Sequence, residues 1–140
     1  MVLAVIGLIA ALASPDIQRA LPGVELRAAA RALVADLRAT RAEALGRGTP
    51  ASLALDLDRR RYRAAGAAEA TELPADVTLE ATVAASDRIS ADRRGAGRRI
   101  AVYRFFPDGT ATGGGITLRR DGRAYALSID WMTGHVRIAE

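Results

Sequence analysis

The feature that most constrains this chain is a change of apolar period at Pro50. Before it, Leu26, Ala30, Leu33, Leu37 and Ala44 recur at spacings of four, three, four and seven. At about 3.6 residues per turn these positions form one stripe along a helix. After it, Leu53, Leu55 and Leu57 alternate with Ala54, Asp56 and Asp58, the period of a strand with one buried face. Gly46, Gly48 and Pro50 stop the helix, because glycine closes a helix C-terminus and proline does not continue one. The expected fold class is therefore α+β: a long N-terminal helix, then an antiparallel β-sandwich-like domain. A length of 140 residues suits one domain with an appended element. The expected segments are 1–14, an apolar helix, 15–48, an amphipathic helix continuing it, and 50–140, the β domain.

Strand and turn signals fill the second part. Arg61-Tyr62-Arg63 is expected to return as a strand after a turn at Arg59-Arg60. Val77, Leu79, Ala81 and Val83 alternate with polar residues. Residues 86–99 are polar and glycine-containing and read as a long exposed loop. Ile100 to Phe106 is rich in β-branched and aromatic residues, and Pro107-Asp108-Gly109 follows as a tight turn. Asp121-Gly122 joins two alternating runs, the strongest short-range hairpin signal. Gly134 turns the chain into a last strand, His135 to Ala139.

On the helix the charges are sorted. Glu25, Asp36 and Glu43 project roughly 80–100° to one side of the apolar stripe, and Arg27, Arg31 and Arg38 roughly 100–140° to the other. One reading is a solvated amphipathic helix. The sharper one is a helix beside copies of itself or relatives, acidic flank to basic flank.

The first residues differ from the rest. Val2 to Ala13 is an uncharged apolar run of 12 residues. A bilayer core needs about 20. A buried helix, a secretory signal peptide and a transmembrane helix lacking its first part compete, and the third is preferred. Val2, Leu3, Val5, Ile6, Leu8, Ile9, Leu12 and Pro15 are its membrane and assembly residues. Reading upstream in frame should then reveal roughly seven more mature residues.

The chemistry that the residues allow is narrow. No cysteine is present, which excludes a disulfide framework, a thiol nucleophile and a Cys-ligated metal. The single histidine, His135, cannot make a zinc site that needs two imidazoles. Gly113-Gly114-Gly115 lacks the spacing, the lysine and the following helix of a phosphate loop, and reads as a bend or bulge. Asp56 and Asp58 read as a solvated strand face. Ser128, Asp130 and His135 have the letters of a hydrolase triad but no nucleophile elbow. Trp131 is expected to pack against the core edge. No catalytic residue, metal ligand or cofactor is assigned. All 20 basic residues are arginine and the net charge is +4, which permits a polyanion partner without demanding one.

An apolar helix punctuated by Ser14-Pro15, a continuing helix and a small β domain resemble the plan of type IV pilin-like proteins. The run Phe105, Phe106, Pro107, Asp108, Gly109, Thr110, Ala111, Thr112, Gly113, Gly114, then Ile116-Thr117-Leu118, is similar to the signature stretch of the GspH/FimT family. Trp131 to Ile138 resembles that family's closing strand. The resemblance implies a minor pseudopilin of a type II secretion system, a structural subunit without cofactor. It implies an inner-membrane anchor, with the β domain in the periplasm. It implies contacts with other pseudopilins, exported proteins or secretion-channel components. It also implies a leader cut by a prepilin peptidase and methylation of the new N-terminal residue. The alternative is a FimT-like minor pilin binding DNA during uptake. There, His135 and Arg137 stand where the family has a basic Gly-Arg-x-Arg stretch.

Overall fold

The computed structural model of the chain describes residues 16–83, 88–90 and 99–139. Helix α1 spans Asp16–Arg47 and runs through Pro22 without a break. The sequence pattern resumes only after that proline. The missing N–H of Pro22 removes one hydrogen bond of the helical ladder but does not end it here. The five stripe residues Leu26, Ala30, Leu33, Leu37 and Ala44 are all fully buried. Gly48, at a φ of 66°, closes the helix by donating its N–H to the Ala44 carbonyl at 3.1 Å.

Among the described residues nine strands follow: β1 Ala51–Asp56, β2 Arg61–Arg63, β3 Thr71–Glu72, β4 Thr78–Thr82, β5 Arg88–Ser90, β6 Arg99–Phe105, β7 Gly114–Arg120, β8 Arg123–Ile129 and β9 Val136–Ala139. They form two antiparallel sheets, β3-β2-β1-β6-β5 and β4-β7-β8-β9. One hydrophobic core joins the two sheets and the helix. Leu53, Leu55, Tyr62, Tyr103 and Phe105 come to it from the first sheet. Leu79, Ile116, Leu118, Leu127 and Val136 come from the second. Alternation on each strand places these residues on the inner face. The helix packs on strands of both sheets, and truncating Leu33 or Leu37 to alanine removes about 2–5 kcal/mol.

Several expectations are corrected. Strand β5 lies inside the stretch read as a loop and pairs Ile89 with Ile100 at the sheet edge; most of the rest of that stretch lies outside the described residues. Asp56 and Asp58 are not a solvated pair. Asp56 is 7% exposed and accepts the Arg59 N–H at 3.0 Å. Asp58 accepts from both the backbone N–H and the Nε of Arg99. Trp131 does not pack at the core edge but is 63% exposed.

Candidate functional site

The acidic flank of α1 is spent within the chain. Glu25 accepts from Arg120 Nη1 at 2.8 Å, on the β7–β8 hairpin. Arg120 also approaches Asp76 and Asp121, so one guanidinium ties the helix to the hairpin and to the chain before β4. Asp36 accepts from the Tyr62 phenol at 2.6 Å, and Glu43 pairs with Arg47 one turn on. At these three positions the flank is tied to the β domain or to the helix itself. On the other flank, Arg38 donates to the Val136 carbonyl at 3.0 Å. Between the flanks Ala28, Ala32, Ala35, Ala39 and Ala42 are exposed. A helix side lined by methyl groups permits close approach of another helix.

The signature stretch is a folded unit. Phe105 ends β6 fully buried, and Phe106 is half-buried. The turn after it closes with Gly109 N–H on the Phe106 carbonyl at 3.0 Å and Phe106 N–H on the Thr110 carbonyl at 2.9 Å. Pro107 presets φ, and Gly109 takes a φ of 90°. Asp108 accepts from the N–H and hydroxyl of Thr110, at 2.9 and 2.6 Å. These bonds favour the charged carboxylate and hold Asp108 below the usual carboxylate range.

Beyond the turn, Ala111 donates to the Trp131 carbonyl at 2.8 Å. A Cβ on Gly113 would stand 2.8 Å from Trp131 Cβ, and one on Gly114 would collide with the Thr82 carbonyl oxygen. The glycines therefore let the signature loop lie against the β8–β9 turn and β4 at once. That turn is ordered by Asp130, which accepts from the N–H groups of Thr133 and Met132 at 3.0 and 2.9 Å. The same bonds lower its pKa. A Cβ on Gly134 would meet the Gly109 carbonyl and the Arg41 side chain. The two turns and the C-terminal part of α1 thus meet at one end of the molecule, where Leu45, Trp131 and Met132 are exposed.

His135 and Arg137 are exposed on or beside β9, and Arg137 lies across from Ser128. Ser128, Asp130 and His135 do not assemble a triad: the hydrogen bonds of Asp130 go to its own turn and to Gly134 and His135 backbone atoms. Among the described residues, no group of three His, Asp or Glu side chains could hold a metal ion, and no helix is long and apolar enough to cross a membrane. The residues Val2, Leu3, Val5, Ile6, Leu8, Ile9, Leu12 and Pro15 lie outside the described residues. Sequence reasoning missed the Tyr62–Asp36 pair and the Arg120 cluster, which join positions 26 and 95 residues apart.

A long N-terminal helix laid across two antiparallel sheets is the plan of a pilin-like protein. The chain belongs to the GspH family: the model described as Type II transport protein GspH matches residues 29–134. It is 33% identical over 137 residues to type II secretion system protein H of Xanthomonas campestris, covering 98% of this chain and 76% of that one. Solved structures share the fold, and two of them illustrate it. The minor pseudopilin EpsH of the Vibrio cholerae type 2 secretion system has a TM-score of 0.60 at 14% identity, covering 82% of this chain and 96% of that one. The type IV minor pilin FimU of Pseudomonas aeruginosa has 0.59 at 19%, covering 90% and 93%.

Proposed function

We propose that this chain is a minor pseudopilin of a type II secretion pseudopilus, a structural subunit involved in protein export rather than an enzyme. The observation that carries this reading is the match to a secretion-system protein over nearly the whole chain, signature turn included. The helix supports it. One side is buried under the β domain, and the opposite side exposes a row of alanines with their small steric demand. The segment 1–14 would continue that helix as inner-membrane anchor and filament core, with the β domain in the periplasm. Neighbouring pseudopilins would pack along the helix, while exported proteins or channel components would meet the β domain. The FimT-like alternative, DNA binding through His135 and Arg137, has a single arginine to stand on.

The absence of native cysteine makes the test direct. Ala35→Cys, in cells carrying single cysteines in other pseudopilins, should form crosslinks to at least one of them, and loss of the gene should block secretion. No crosslink to any pseudopilin, with secretion intact in the deletion strain, overturns the reading.

A further inference from the structure

We propose that the face of the first sheet turned away from the helix carries a groove for an extended, carboxylate-rich segment of a passenger protein, held by Arg59, Arg61 and Arg63. Register defines the face. Arg61 pairs with Asp56 and Arg63 with Ala54, opposite to the side that carries Leu53, Leu55 and Tyr62 into the core. The groove has a volume of about 550 Å³, within the roughly 300–1,000 Å³ of ligand sites. Among the described residues, nothing bulky fills it. Its floor includes Ser52 and Ala54, and six of the seven residues 64–70 that arch beside it are alanine or glycine.

Charge selects the occupant. Among the described residues, no carboxylate pairs with Arg59, Arg61 or Arg63. Asp56 also lines the groove and accepts the Arg59 N–H, so three arginines face one carboxylate there. Glu72 stands across from Arg61 on the edge strand β3, exposed and without an ion pair to it. Guanidinium forks bind carboxylates bidentately. Arg61 and Arg63 project from the same face of one strand, about 6.6–6.8 Å apart at two residue rises. An extended segment with acidic residues at alternate positions repeats at that distance. The occupant's origin rests on the filament reading, because the face opposite the helix points away from a filament axis. The anion chemistry does not depend on it.

The probe is a fluorescein-labelled (Glu-Ser)4 peptide, titrated by anisotropy against the full chain in neutral detergent. Arg61→Gln/Arg63→Gln should weaken binding at least about tenfold, the loss of a charge-assisted contact. Ala54→Leu, which fills the floor and leaves every charge, should do the same; Ser52→Leu replaces it should Ala54→Leu melt early. Arg31→Gln/Arg137→Gln removes equal charge elsewhere and should leave affinity within about twofold. The blocked isomer Glu4Ser4 should bind more weakly than (Glu-Ser)4. No binding of (Glu-Ser)4, equal losses in groove and control variants, no loss in Ala54→Leu and Ser52→Leu, or tighter binding of duplex DNA at the same arginines each overturns the groove. Crosslinking through Ala35→Cys is scored separately. Its failure would sink the filament reading and leave the peptide result standing.

Discussion

The Tyr62 phenol, on β2, donates a 2.6 Å hydrogen bond to Oδ2 of Asp36 on α1, and Tyr62 is 2% exposed. The bond ties α1 to the first sheet at the residue next to the buried Leu37. Tyr62→Phe keeps the ring packing and leaves a half-buried carboxylate without this donor. It should destabilise the fold by about 1–3 kcal/mol, read as a lower denaturation midpoint at unchanged slope. Asp36→Asn, which still accepts the bond, should cost less.

Alkaline pH should destabilise the protein for a related reason. Burial pushes the phenols of Tyr62 and Tyr103 above their ordinary value, and Asp36 adds to the effect at Tyr62. A raised folded pKa means the fold favours the protonated form. That contribution is fully present below the unfolded value of about 10 and is lost as pH rises beyond it. Denaturant titrations between pH 8 and 11.5 should show stability falling above about pH 10, with a shallower fall in Tyr103→Phe. A flat profile would contradict the burial of these phenols.

What was legible in the sequence was local. The spacing of Leu26, Ala30, Leu33, Leu37 and Ala44 places the buried stripe because helical period and burial are one fact seen twice. Asp121 and Gly122 give the hairpin because both need the positive φ they show, 50° and 76°. Unreadable were the relations set by tertiary approach. Nothing near Asp36 names Tyr62 as its partner, and nothing near Asp58 names Arg99. Trp131 looks like a core residue by type, yet the hydrogen-bonded turn around Asp130 holds it outward. The Arg59, Arg61, Arg63 alternation was visible in the letters, but the alanine-rich arch that leaves a groove beside it gains meaning only in three dimensions.

Gly114 should be the least replaceable glycine of the signature stretch. It adopts a φ of 126°, and a Cβ there would collide with the Thr82 carbonyl, a backbone atom that moves only with β4. Gly114→Ala should cost about 1–3 kcal/mol from backbone strain alone, and more as the β4–β7 pairing shifts. Gly122→Ala shares the positive φ but meets nothing within 4 Å, so it should cost less. Thermal unfolding of the two variants side by side checks the order.

Trp131 provides an optical report on the β8–β9 turn, being the only tryptophan and adjacent to Asp130. Hydrogen bonds from Thr133 and Met132 lower the Asp130 pKa. The carboxylate therefore orders the turn above the ordinary carboxylate range, and the order is lost as pH falls through the depressed folded value. Tryptophan emission should shift with a midpoint below about pH 4. Asp130→Ala should show the acid-state emission already at pH 7 and no transition.

Duplex DNA is the remaining discriminator between secretion and uptake. Arg119, Arg120 and Arg123 gather at the β7–β8 turn, but Arg120 is enclosed by Glu25, Asp76 and Asp121, and Arg119 approaches Glu80 at 3.8 Å. Arg137 stands beside the carboxylate of Asp130, which feels its charge. Few arginines on these strands are left for phosphates, so binding should be weak, on the order of 10⁻⁴–10⁻⁶ M and steeply dependent on salt. Arg137→Ala should change it by less than about threefold, one exposed charge being screened over about 8 Å at physiological salt. Fluorescence anisotropy across a salt series measures both. Tight binding near 0.15 M salt that Arg137→Ala abolishes would move the chain from secretion to DNA uptake, because one phosphate contact cannot carry that affinity without a base-reading site around it.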